Sequence, residues 1–104
     1  MSIDENLITE AGRRLVAAAP NSRVILFGSH ARGEADPRSD VDFLVVEPEV
    51  QDEAGESVRL LRELRDLRIP VDVVVVGQRY AEEWSGVRGS VVHAAISHGR
   101  VMAG

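Results

Sequence analysis

Val24-Ile-Leu-Phe-Gly-Ser-His-Ala-Arg-Gly-Glu-Ala-Asp-Pro-Arg-Ser-Asp-Val-Asp-Phe-Leu-Val-Val46 reads as an apolar strand, a polar loop and a second apolar strand. Gly28 and Ser29 open the loop; Asp40 and Asp42 close it. Side chains alternate faces along a strand, so the two aspartates point the same way with Cα atoms ~6.8 Å apart. Carboxylates at that spacing can bridge two cations ~3.5–4 Å apart, as in two-metal phosphoryl transfer. Without cations they repel, by about 4 kcal/mol at ~4 Å and an effective dielectric of ~20. At the other end, a residue without a Cβ lets phosphate oxygens approach backbone N–H groups at a helix start, and Ser29 adds a hydroxyl donor.

Outward from this stretch, residues 3–19 carry Leu7, Ile8, Ala11, Leu15 and Ala18 at helical spacing. Ser2 and Glu5 have the spacing of a capping box, and Pro20-Asn21 ends the helix. Residues 51–68 predict a second helix. Its stripe is Ala54, Val58, Leu60, Leu61, Leu64 and Leu67, with Arg59, Arg62, Glu63, Arg65 and Asp66 on the solvent side. After Pro70, Val71-Asp-Val-Val-Val-Val76 is apolar on both faces, the pattern of a central buried strand. A short helix over 79–84 and a last one over 87–98 follow, closed by Gly99 as a C-cap. The fold class is therefore α/β (α+β): a small mixed sheet of three or four strands flanked by helices, strand order left open by the pattern.

The third acid of the site is expected to be Asp72. If its strand lies beside the second, Asp72 sits level with Asp40 and Asp42 and can hold a metal and help deprotonate an attacking hydroxyl. Glu47 and Glu49 are expected past the far end of the second strand, and the helix acids on solvated faces. Arg32, Arg38 and Ser39 are further candidates for nucleotide contact. His30 is expected to be exposed, and Tyr80 and Trp84 to serve core or interface. His93 and His98, five residues apart, lie about 140° apart on a helix and form no metal pair.

Composition narrows the classes. With 104 residues, one domain with a radius of gyration of roughly 13 Å is expected. A net charge of −5 speaks against broad nucleic-acid binding. No apolar run approaches the ~18 residues of a membrane span, and the acidic start at Asp4 and Glu5 is unlike a secretory leader. Zero cysteines fit the cytoplasm. All twelve cationic residues are arginine. The lack of lysine removes any P-loop lysine, Schiff base or lysyl-nucleotide intermediate, and leaves phosphate recognition to amides, arginines and metal.

Gly28-Ser29, ten residues, then Asp40-Val41-Asp42 resembles the Gly-Ser-x10-Asp-x-Asp signature of the DNA polymerase β-like nucleotidyltransferases. The fuller string G-S-H-A-R-G…S-D-V-D-F-L-V-V is similar to the minimal nucleotidyltransferase (MNT) branch, and Asp72 matches that branch's third carboxylate. The resemblance covers nearly the whole chain. It implies a nucleotidyltransferase fold over residues 1–104 as one minimal domain. It also implies transfer of a nucleotidyl group from ATP with Mg²⁺, two ions at Asp40, Asp42 and Asp72, and Gly28, Ser29, Arg32 and Ser39 on the nucleotide.

The same resemblance implies a helical HEPN toxin as partner, with the chain as an antitoxin that adenylylates a tyrosine on it. Two other outcomes stay open. The chain could neutralise the toxin by masking alone, or modify a small molecule at a site completed by a partner subunit. Exposed apolar residues of the terminal helix could serve a homo- or hetero-oligomer.

Overall fold

A computed structural model describes residues 4–34 and 39–103. Ser2 and Arg38 lie outside the described residues. Helix α1 (Glu5–Ala18) is capped by Asp4, whose carboxylate accepts from Asn6 N–H at 2.8 Å. Glu5 is its first helical residue, so it cannot be the third residue of a capping box opened by Ser2. Strand β1 (Arg23–Phe27), the one-turn helix α2 (Ser29–Arg32) and strand β2 (Val41–Glu47) follow. Helix α3 (Glu53–Arg62) then leads to strand β3 (Val71–Gly77), α4 (Gln78–Trp84), α5 (Val91–His98) and strand β4 (Arg100–Ala103).

The sheet order is β3-β2-β1-β4. β1 runs antiparallel to both β2 and β4, while β2 and β3 are parallel. Helices cover both faces. On one, Val24, Leu26, Phe43, Val45, Val73 and Val75 pack with Ile8, Leu15, Leu60 and Leu64 of the α1/α3 layer. On the other, Ile25, Leu44, Val46 and Val76 pack with Ala81, Val92 and Ala95. This alternation makes every strand nearly all apolar.

Three expectations need correcting. β3 is an edge strand and not a central one; it reads as apolar on both faces because α3 and α4 cover one face each. The helix predicted over 51–68 starts after Asp52, which accepts from Gly55 N–H, and ends at Arg62, with a separate 3₁₀ turn at Arg65–Leu67. Ala54 and Val58 lie within it but are exposed, and Leu60 and Leu64 alone of the stripe are buried. The last helix begins at Val91, because Ser90 is its N-cap and accepts from His93 N–H at 3.0 Å. Gly99 is the C-cap of that helix as expected, its N–H donating to the Ala95 carbonyl at 2.8 Å; its backbone is extended, and a Cβ there would stand 2.6 Å from Ile25 Cγ2.

Glu56 does not lie on the solvated face expected of the helix acids, and Glu47 belongs to the second strand instead of lying past its end. Glu47 ends β2 with one carboxyl oxygen buried and without a hydrogen-bond partner among the described residues. Burial first, then a shared hydrogen bond with Glu56, push its pKa up to about 7. Glu56 is held down to about 2, first by Arg59, whose Nε and Nη2 donate at 2.6 and 2.8 Å. Arg59 also donates to the Ala18 carbonyl at 2.9 Å, tying α3 to the end of α1.

A carboxyl whose folded pKa is raised binds a proton that the unfolded chain has already lost. Its contribution therefore falls as pH climbs from the ordinary 4.5 to about 7. The thermal midpoint should decline over that window, and Glu47→Gln should flatten the decline and melt higher than the parent at mildly alkaline pH. Parallel slopes for the two proteins in a pH series of thermal melts would show that Glu47 carries no such linkage.

Candidate active site

The end of β1 delivers Gly28 into a backbone conformation (φ 78°, ψ −160°) that favours glycine. Space makes the same demand. A Cβ built on Gly28 would lie 2.5 Å from Asp42 Oδ2, so the Asp42 carboxylate packs directly over the Gly28 backbone. Phe27 and Asp42 are register partners across the β1/β2 pair, which brings the start of the loop back to its end.

From Gly28 the chain turns into α2, where Ala31 and Arg32 return their N–H groups to the Gly28 carbonyl at 3.1 and 3.3 Å. The first N–H groups of any helix have no intrahelical acceptor, and here they belong to Ser29 and His30. His30 is half-buried and not exposed as expected: its Nε2 lies 3.0 Å from the Ser39 carbonyl. That bond closes the loop and sets the approach to Asp40. No periodic pattern could reveal it, since its partners are nine residues apart in the sequence. Arg32 forms an exposed bridge to Glu34 at 3.1 Å.

β2 and β3 supply the acids. Asp42 and Asp72 are register partners in the parallel pair, with backbones ~4.8 Å apart. Asp40 precedes the first residue of β2 by one position. Asp40 and Asp72 are exposed; Asp42 is half-buried. Burial first, then the charges of Asp72 and Asp40, push the Asp42 carboxyl above its ordinary value, with His30 opposing. Among the described residues no group of three or more His, Cys, Asp or Glu side chains is placed to hold a metal ion, so Asp40, Asp42 and Asp72 do not converge as a three-ligand site. An open set of carboxylates under mutual repulsion still fits Mg²⁺, which binds through one or two carboxylates and takes its remaining ligands from water and substrate phosphates. Hard oxygen donors on one side and amide and hydroxyl donors on the other suit a metal-bound polyphosphate.

The chain matches the family model for the nucleotidyltransferase domain over residues 8–98. Among curated proteins none matches it by sequence. Its fold is similar to that in a toxin–antitoxin complex with AMP-PNP (24% identity, TM-score 0.64, covering 98% of this chain and 74% of that one). It is also similar to a chain in the complex of tri-AMPylated Shewanella oneidensis HEPN toxin with MNT antitoxin (21% identity, TM-score 0.61, 97% and 73% covered). A third likeness is to a variant of the MntA–HpeT toxin–antitoxin (24% identity, TM-score 0.58, 99% and 74% covered).

Two substitutions should move stability in opposite directions. Gly28→Ala puts a methyl group into the Asp42 carboxylate in a left-handed backbone, and should cost at least about 1–2 kcal/mol. Asp42→Asn removes a charge that burial and two neighbouring acids disfavour, and should raise the thermal midpoint measured without divalent cations. A drop in midpoint for Asp42→Asn under those conditions would contradict the repulsion described here.

Proposed function

We propose that this chain, which belongs to the nucleotidyltransferase domain family, transfers AMP from ATP to a tyrosine hydroxyl of a cognate helical HEPN toxin and thereby acts as its antitoxin. The observation that carries this reading is the pairing of Asp42 with Asp72 on adjacent parallel strands, directly against the Gly28 turn. Support for the acceptor comes from the complexes similar in fold, one of which contains a tri-AMPylated HEPN toxin, while AMP-PNP in another supports the donor.

In this mechanism the α2 amides and the Ser29 hydroxyl take the β- and γ-phosphates. Asp40, Asp42 and Asp72 would hold two Mg²⁺ ions together with the triphosphate. When bound, the ions neutralise the carboxylates and stabilise charge on the transferring phosphoryl group. Asp72 accepts the proton of the acceptor hydroxyl. The hydroxyl oxygen then bonds to the α-phosphorus, the bond to the bridging oxygen breaks, and pyrophosphate leaves. Arg32 can exchange its exposed bridge to Glu34, worth at most about 1 kcal/mol, for a phosphate; Ser39 borders the same loop.

We read residues 1–104 as one minimal catalytic domain acting in the cytoplasm. Among the described residues no helix is long and apolar enough to cross a membrane.

The test uses α-labelled ATP, Mg²⁺ and the product of the coding sequence adjacent to this chain's own, which this reading expects to be an all-helical protein. Label should pass to a tyrosine of that protein, and Asp42→Ala should lower transfer by about 10²–10³-fold, the scale set by losing one transition-state charge stabiliser. Neutralisation of the toxin by Asp42→Ala, with no label transferred by the parent, would replace catalysis with masking. Label appearing on an added small-molecule acceptor, and not on the protein, would assign the third reading.

A further inference from the structure

Beyond Asp72 the edge strand continues into an unclaimed groove. Val74 stands on the same face of β3 as Asp72, ~6.6 Å along the strand. It floors a cleft of about 320 Å³ whose walls are Tyr80 and Trp84 of α4 and Val91 of α5. Trp84 is 39% and Val91 45% exposed, although both are large apolar side chains. The walls are pre-shaped. The Tyr80 and Trp84 rings stack with centroids 5.5 Å apart, and Ser90 Oγ donates to the carbonyls of Trp84 and Val87 while capping α5.

A second cleft, of about 550 Å³, shares Tyr80 and Glu53 with the first and extends past Glu49 and Glu83. Glu49, Glu53 and Glu83 form no ion pair among the described residues, and Arg79 is the one cation in the lining. The joined groove is apolar in its floor and acidic at its rim. That polarity disfavours a polyanionic nucleotide and is complementary to a basic polypeptide. Strand addition is hindered, because the Ser57 hydroxyl donates to the Val73 carbonyl on the edge of β3 that faces away from β2. Recognition therefore falls to side chains.

We propose that this groove docks the acceptor polypeptide. The occupant is a segment with an aromatic or branched apolar anchor flanked by arginine or lysine, seated so that its hydroxyl reaches Asp72. This rests on the protein-acceptor reading above and names the residues that select the acceptor.

The experiment compares the parent with Val91→Asp and with the double variant Glu53→Arg/Glu83→Arg, all three checked for unchanged thermal melts. Transfer to the helical protein should show an acceptor KM raised about tenfold or more, the effect of losing one interfacial anchor, with the ATP KM within about twofold of the parent. A raised ATP KM with an unchanged acceptor KM would overturn the proposal and assign the groove to the nucleoside. Unchanged constants for both would leave the surface without a docking role and overturn it equally.

Calorimetric binding of the helical protein to chains also carrying Asp42→Ala separates docking from catalysis. Weaker binding by the groove variants supports docking even if the parent transfers nothing. Equal binding, or no binding by the parent groove, overturns it.

Discussion

A single contact constrains the site: the Asp42 carboxylate lies against the bare backbone of Gly28, with Asp72 in register beside it. Gly28 must lack a Cβ, β1 must end where β2 begins, and β3 must run parallel to β2. Each follows from the β1–loop–β2 hairpin and the β2–α3–β3 crossover. The arrangement stores unfavourable electrostatics, since burial and two neighbouring acids all oppose ionisation of Asp42. A protein under selection for stability alone gains nothing from it; a site that captures cations together with phosphates does.

The rest of the fold holds that strained corner still. Phe43 and Leu44, adjacent to Asp42, are fully buried into opposite helical layers, so the strand cannot rotate to separate the acids. His30 closes the loop onto Ser39, which fixes the approach to Asp40. At the opposite end of β2 a second carboxyl pair, Glu47 and Glu56, is settled differently. Arg59 neutralises Glu56, and the raised Glu47 retains a proton into the neutral range. One acid pair is relieved by a neighbouring arginine and a retained proton, and the other has burial and two like charges set against ionisation.

The candidate site was legible because its signature is contiguous: Gly28, Ser29, Asp40 and Asp42 lie within fifteen residues, and the β2/β3 register sets Asp72 beside Asp42. The mixed α/β architecture followed from apolar runs separated by helical periods. Position in the sheet was not legible. Val71 to Val76 looks the same whether its two faces are covered at the centre or at an edge, and the short β4 adds only a few residues after Gly99. The roles of His30, Glu47 and Glu56 depend on partners brought close by folding, which no local pattern encodes. Tyr80 and Trp84, expected in core or interface, stand exposed on a groove floored by Val74.

The central claim is that the repelling carboxylates and the Gly28 turn form one site for a metal-bound triphosphate. It is tested most directly by calorimetric titration of ATP into the chain, with Mg²⁺ and again with a chelator. The account predicts saturable binding with Mg²⁺ and none measurable without it, because the acids repel bare triphosphate. Equal affinity under both conditions would contradict it.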